Sequence, residues 1–324
     1  MSNKTFFLQS SPHFNDKDSV SKIMYSVIIS LIPAIAASFY FFGIKALALY
    51  VVSVSTCLVT EALFLWIRKK PIRSLLDGSA IITGLLLAMT LPPSISLDIV
   101  MIGAIIAIAI GKQVFGGLGY NIFNPALVGR AFLQTSFPLA MTTWIPPVSL
   151  KINTATFATP LANLKFQNAI AQGTLTPAKQ LFWGNVGGCL GETSAIALLL
   201  GAAFLLYKRS IAWRIPLGII FSLTCFTGIF WLMNPSKYAS PLFHVLAGGL
   251  LIGAFFMATD MVTSPITLVG TWIYSLVMGL LIGLIRLFGG YPEGVMFSIL
   301  FMNIFVPLLN RYTRPRILGE RRSR

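Results

Sequence analysis

The chain has 324 residues, 56% of them hydrophobic and 10% charged, with a mean hydropathy of +0.82. A soluble domain carries about 25% charged residues, so a water-solvated globular protein is excluded and an all-α polytopic membrane protein is implied. The formal charge of +15 comes from basic residues in the connections between apolar runs, without the aromatic-interleaved basic patches of a nucleic-acid binder.

A bilayer core takes about 20 apolar helical residues. Residues 1–22 are polar and read as a cytoplasmic N-terminal segment. The first apolar run begins at Ile23 and is long enough to remain as a span rather than serve as a cleaved signal. Ten runs follow one another at 23–42, 46–67, 79–92, 97–111, 125–143, 190–207, 213–233, 242–259, 266–285 and 293–310. The third and fourth are short, and Pro92 and Pro93 end the third. Runs one to five form a first membrane repeat at 23–143, and runs six to ten a second at 190–310. Between them, 144–189 is the longest polar connection. Pro146, Pro147 and Pro177 argue there for a small ordered cap rather than a soluble domain. Residues 311–324 form a basic tail.

With the N-terminus in the cytoplasm, eighteen Lys and Arg fall on the inner side and six on the outer. That bias predicts both termini in the cytoplasm and the 144–189 connection on the outer face. The halves share short echoes: GLLLAMT at 84–90 with GAFFMAT at 253–259, and NIFNP at 121–125 with NIFVP at 303–307. Five spans per half is an odd number, so the predicted architecture is two inverted five-helix repeats. Such repeats enclose sites built from interrupted helices near the midplane.

Few residues offer chemistry. The three cysteines, Cys57, Cys189 and Cys225, form no CxxC and lie in or beside apolar runs, where they read as small packing residues. His13 and His244 are far apart, and no metal site or catalytic residue is expected. Glu61 falls within the second run, where an ionisable side chain is a functional candidate by default. Glu192 opens the sixth run, either as a second ion-coupling candidate or as a carboxylate placed for the helix dipole; Glu293 has the same ambiguity at the tenth. Asn121, Asn124 and Asp260 lie at the boundaries of runs. Polar groups at membrane depth must be paired, hydrated or bonded to a ligand. Amides and a carboxylate suit the hydroxyls and polar ring edge of a flavin; helix capping by the Asn residues, with Asp260 at the aqueous boundary, explains them equally well.

The segment NTATFATPLA at 153–162 resembles the site at which flavin mononucleotide (FMN) is esterified to a threonine in the membrane subunits of the Rnf and Na+-pumping quinone reductase complexes. The family pattern is D-x-x-S/T-G-A-T. Thr156, Ala158 and Thr159 match it, while Asn153 and Phe157 replace the Asp and Gly. Pro160 holds Thr159 toward extended geometry, and a phosphoester there needs an exposed hydroxyl. The blocks KQVFGGLGYNIFNPALVGR at 112–130, GETSA at 191–195, ATDMVTSP at 258–265, GYPEG at 290–294 and NRYTRP at 310–315 are similar to the RnfD family, in order and over nearly the whole chain.

The resemblance implies a subunit of a redox-driven ion translocase that couples electron flow between ferredoxin and NAD to Na+ or H+ movement. It implies FMN bound covalently through Thr159, flanked by Thr156, Phe157 and Ala158. Independently of the resemblance, Asn121, Asn124 and Asp260 are the candidates to hold a second, non-covalent flavin such as riboflavin. The resemblance also implies a bacterial or archaeal cytoplasmic (inner) membrane, and a flavin transferase for maturation. The partners it implies are a second covalent-FMN subunit and subunits bearing iron–sulfur clusters and the NAD site, none of which this chain encodes. Composition and repeat alone fit a small-solute channel or secondary transporter without redox role equally well; the flavin segment and the family blocks discriminate.

Overall fold

Every regular element is a helix among the residues that the computed structural model describes, 19–147, 158–167 and 169–315. Ser19 starts α1 (Val20–Phe42) by accepting from Lys22 N–H, which satisfies one of the donors left open at a helix start. Gly43, at φ 68°, turns the chain directly into α2 (Ile44–Ile67). A 3-10 turn over Ile72–Asp77 leads to α3 (Ser79–Met89). After it, α4 (Leu97–Ile108) widens into a π-helical turn at Ala109–Gln113. The next elements are α5 (Pro125–Ser136), α6 (Pro138–Thr142), α7 (Pro160–Phe166), α8 (Ala178–Trp183), α9 (Ala195–Tyr207) and α10 (Arg214–Met233). The rest are α11 (Pro241–Leu246), α12 (Leu250–Ile252), a π-helical turn at Gly253–Met257, α13 (Leu268–Phe288) and α14 (Val295–Tyr312).

Five of these helices, α1, α2, α10, α13 and α14, are long and apolar enough to cross a bilayer. The other five predicted runs are not continuous α-helices of that length. The run at 125–143 breaks at Phe137, because the following proline excludes helical geometry in the residue before it. The run at 190–207 becomes helical only at Ala195. The run at 242–259 breaks at Ala247–Gly249, where Gly248 takes φ 70°. The runs at 79–92 and 97–111 yield the short α3 and α4.

Neighbouring helices pack closely within each half of the chain. Helix α2 packs on α3 and α4, and α4 on α5; in the second half α10 packs on α11 and α13, and α13 on α14. The halves meet where α1 crosses α9, with Gly201 against the Ser30 carbonyl. Within the second half Gly279 lies on the backbone of Ile219, where a side chain would collide. Small residues let helices without a hydrophobic driving force approach closely. One continuous apolar core runs through both halves, and a small satellite cluster of Leu161, Leu181, Val186, Phe243 and Ala247 seats α7 and α8 on α11.

Candidate functional site

Thr159 is the N-cap of α7: its Oγ1 accepts from Ala162 N–H at 3.2 Å. This corrects the expected exposed hydroxyl, since Thr159 is only 4% exposed. Pro160, lacking an N–H that a helix start would leave unpaired, fits the first helical position. The capping bond uses a lone pair of Oγ1 and leaves its proton free, so a phosphoester at that oxygen replaces no bond seen here.

Beside Thr159 lies a cavity of about 630 Å³. One wall is the C-terminal half of α5 with α6, including Arg130, Gln134, Pro138 and Met141. The second is α7 with Ala158, Thr159, Ala162 and Phe166. The third is the turn Tyr291–Glu293 with Met296 and Phe297 of α14. Tyr291 and Phe297 rings lie 5.2 Å apart. Cofactor sites span roughly 300–1,000 Å³ and combine apolar walls with a few fixed polar groups, so size and lining suit a flavin ring. Of the predicted attachment residues, Thr159 and Ala158 line this cavity; Thr156 and Phe157 lie outside the described residues.

Arg130, on α5, sits at the cavity floor. Its guanidinium pairs with Glu192 (3.5 Å) and Glu293 (3.2 Å) and donates to Cys189 Sγ at 3.7 Å. The dipole reading of Glu192 is therefore incomplete: the residue precedes α9 and belongs to a buried ion cluster. Arg286 serves the interrupted helix by donating to the His244 and Ala247 carbonyls, the latter at 3.0 Å. Lys165, at the end of α7, donates to Ile285 O, Arg286 O and Tyr291 O. Partial burial lowers its pKa from the ordinary lysine value.

The second predicted constellation, Asn121, Asn124 and Asp260, gathers at the other end of α5. Asn124 caps α5 through bonds from Ala126 and Leu127 N–H (3.1 and 3.4 Å), and its Nδ2 donates to Met257 O of the second π-helical turn. Asp260 accepts from Thr263 Oγ1 at 3.0 Å, and burial raises its pKa. Asn124 therefore satisfies the capping account, whereas Asp260 sits at the start of a turn and caps no helix. Asn121 Oδ1 is buried without a partner among the described residues. The cavity they line holds only about 70 Å³, far below a three-ring ligand. The donor set suits a flavin and the volume in this structure does not.

Glu61 is buried in α2 and paired at 2.6 Å with Lys112 Nζ, which also donates to Ser79 Oγ. Gln113 Nε2 reaches the same Glu61 oxygen at 3.2 Å. The π-helical turn brings Lys112 and Gln113 together onto this carboxylate. Neither Lys112 nor Arg130 belongs among the loop charges that set topology: both are buried ion-pair partners. Asn303 is one of the residues that sequence reasoning missed. It is fully buried in α14, 3.1 Å from Tyr274 Oη, and with its amide turned to satisfy both ends it accepts from Asn124 N–H at 3.2 Å. Its place in the NIFVP echo of NIFNP was the available signal.

Known proteins place this geometry in context. The chain is 48% identical over 324 residues to the D component of the proton-translocating ferredoxin:NAD(+) oxidoreductase complex of Clostridium ljungdahlii, covering 98% of this chain and 97% of the relative. It is 46% identical to the D component of the Na(+)-translocating counterpart in Acetobacterium woodii, covering 96% and 95%. It is 38% identical to the D component of the ion-translocating oxidoreductase complex of Erwinia tasmaniensis, covering 98% and 99%. The family pattern matches residues 7–319, and the chain belongs to the NQR2, RnfD, RnfE family.

Proposed function

We propose that this chain is the flavin-carrying membrane subunit of a redox-driven ion translocase, with FMN esterified to Thr159 and seated in the neighbouring cavity. The observation that carries the reading is the coincidence of three things at one residue: the attachment-like sequence, a hydroxyl whose capping bond survives esterification, and a cavity of about 630 Å³ beside it. Bound there, flavin supplies one- and two-electron transfer. The protein's part is placement. Arg130 and Glu293 present a buried polar floor, Tyr291 and Phe297 an aromatic wall, and α7 fixes the point of attachment. On this reading the ferredoxin and NAD sites belong to other subunits of the complex, since the sequence carries no NAD-binding fingerprint and no CxxC. The architecture is ten membrane crossings in two inverted repeats, with α3, α4, α5, α9 and the α11–α12 segment as the shorter or interrupted members. The parallel packing of α2–α5 and α10–α14 supports it. The membrane is the cytoplasmic one, with Thr159 near its outer face.

A solute transporter with no redox role has the interrupted α11–α12 segment in its favour. It gives no account of Thr159. Co-expression with a flavin transferase decides between them. The wild type should give a fluorescent band in a denaturing gel, Thr154→Ala should keep it, and Thr159→Ala should lose it. A dark wild type alongside an active transferase would leave the transporter reading ahead. Fluorescence persisting in Thr159→Ala would move the site to another threonine.

A further inference from the structure

A tether fixes one end of a flavin. Orientation of the ring needs walls held at a set spacing, since productive transfer depends on geometry as well as local concentration. Helix α7 is one such wall, and it is short. Its first turn is anchored by Leu161, 3% exposed, which packs in the satellite cluster and against Gly248 of the interrupted helix. Its last turn is anchored by Lys165.

Lys165 Nζ has three N–H donors, and three backbone carbonyls accept them. Ile285 O and Arg286 O, both at 3.2 Å, belong to the last turn of α13, and Tyr291 O, at 2.8 Å, lies beyond it. The first two bonds fit a cation placed at a helix C-terminus. The third does not belong to that role. Tyr291 stands in the turn that forms the opposing wall of the cavity, next to Pro292 and Glu293. One ammonium thus bolts the wall bearing Thr159 to the wall bearing Tyr291.

We propose that Lys165 is a positioning residue that sets the spacing of the cavity in which the Thr159-borne flavin is held. The inference rests on the reading of Thr159 as the attachment point. The bonds of Lys165 go to Ile285 O, Arg286 O and Tyr291 O and none goes to Thr159. Attachment therefore does not require Lys165, and holding the ring does. If Lys165 only capped α13, its loss would weaken the fold and leave the flavin of folded protein unchanged.

The test uses the full chain, co-expressed with a flavin transferase and placed in lipid nanodiscs, with Thr159→Ala as the blank. Wild type must first show covalent flavin that the blank lacks; failure there overturns the attachment reading itself. Given labelled wild type, Lys165→Met should be labelled to at least the same extent. Its flavin anisotropy should fall about twofold as the ring gains nanosecond freedom, and its midpoint potential should move toward that of free FMN. Lys165→Arg should restore both. Lys165→Met with the anisotropy and potential of wild type overturns the proposal. Should Lys165→Met not accumulate, Lys165→Gln is judged by the same two readings, and wild-type values there overturn it equally.

Discussion

Two buried basic residues, Lys112 and Arg130, hold carboxylates drawn from distant parts of the chain. Lys112 meets Glu61 across 51 residues, and Arg130 meets Glu192 and Glu293 across 62 and 163. No local spacing connects such pairs, which is why sequence reading counted both cations among the inner-side charges while finding Glu61 and Glu192 themselves. Removing one member of a buried pair leaves the other charged and unsolvated, at about 3–5 kcal/mol. Arg130→Leu should therefore lower thermal stability by that order and narrow the denaturant range of the folded protein. Glu192→Gln, which keeps an acceptor for Arg130 and removes only one of two carboxylates, should lower it far less. Equal losses in the two variants would mean that the pairing of Arg130 contributes little. Glu61→Gln makes a functional prediction from the same physics. Lys112 can still donate to the amide oxygen, so the variant should lose less stability than outright removal of the side chain and should still fold. Electron transfer in the reconstituted complex should then drive less ion movement per electron. Unchanged coupling would reduce Glu61 to a packing partner of Lys112.

At the level of elements, apolar periodicity shows where hydrophobic segments lie and says little about where they are interrupted. The run at 242–259 is apolar throughout, yet α11 stops at Leu246 and helix resumes only at Leu250. The break depends on Gly248 at φ 70° and on Arg286, which satisfies the His244 and Ala247 carbonyls left open by it. Unpaired carbonyls at membrane depth would each cost several kcal/mol, so the interruption exists because a buried guanidinium from α13 reaches it. That partnership was not legible in the sequence, whereas the break beside Pro138 was half-legible from the proline. A substitution tests the element. Left-handed geometry costs a non-glycine residue about 1–2 kcal/mol, and a Cβ at Gly248 would press on Leu161 of α7. Gly248→Ala should lower the melting temperature and raise protease sensitivity around α7. Gly228→Ala, inside α10 with only an ordinary contact to Pro241, should be neutral or slightly stabilising. Indistinguishable variants would show that the turn at Gly248 is not constrained.

Across the whole molecule, α5 links the two constellations. Asn124 starts it, and Gln134 with Pro138, just beyond its end, lines the cavity of Thr159. Asn124 and the end of α5 are about 12 residues, and so roughly 18 Å, apart along the helix, which puts the two sites toward opposite ends of α5. Which face is which follows from the basic residues that remain in connections once Lys112, Arg130 and Arg286 are recognised as buried partners. Arg68, Lys69 and Lys70 after α2, Lys208 and Arg209 after α9, and Arg311 and Arg314 at the end of α14 still fall on one predicted side. Lys45, Lys165, Lys179 and Lys237 fall on the other. Positive charge is retained on the cytoplasmic side; on the topology proposed above, this would put the Asn124 end of α5 inside and the Thr159 cavity outside. A reporter active only in the cytoplasm should give signal when fused after Arg324 and none when inserted at Gln172, an exposed position in the connection between α7 and α8. The opposite pattern would turn the molecule over and place the Thr159 cavity on the cytoplasmic face. Signal at both positions would mean an even number of crossings between Gln172 and the C-terminus in place of an odd one, and would remove the inverted relation of the halves.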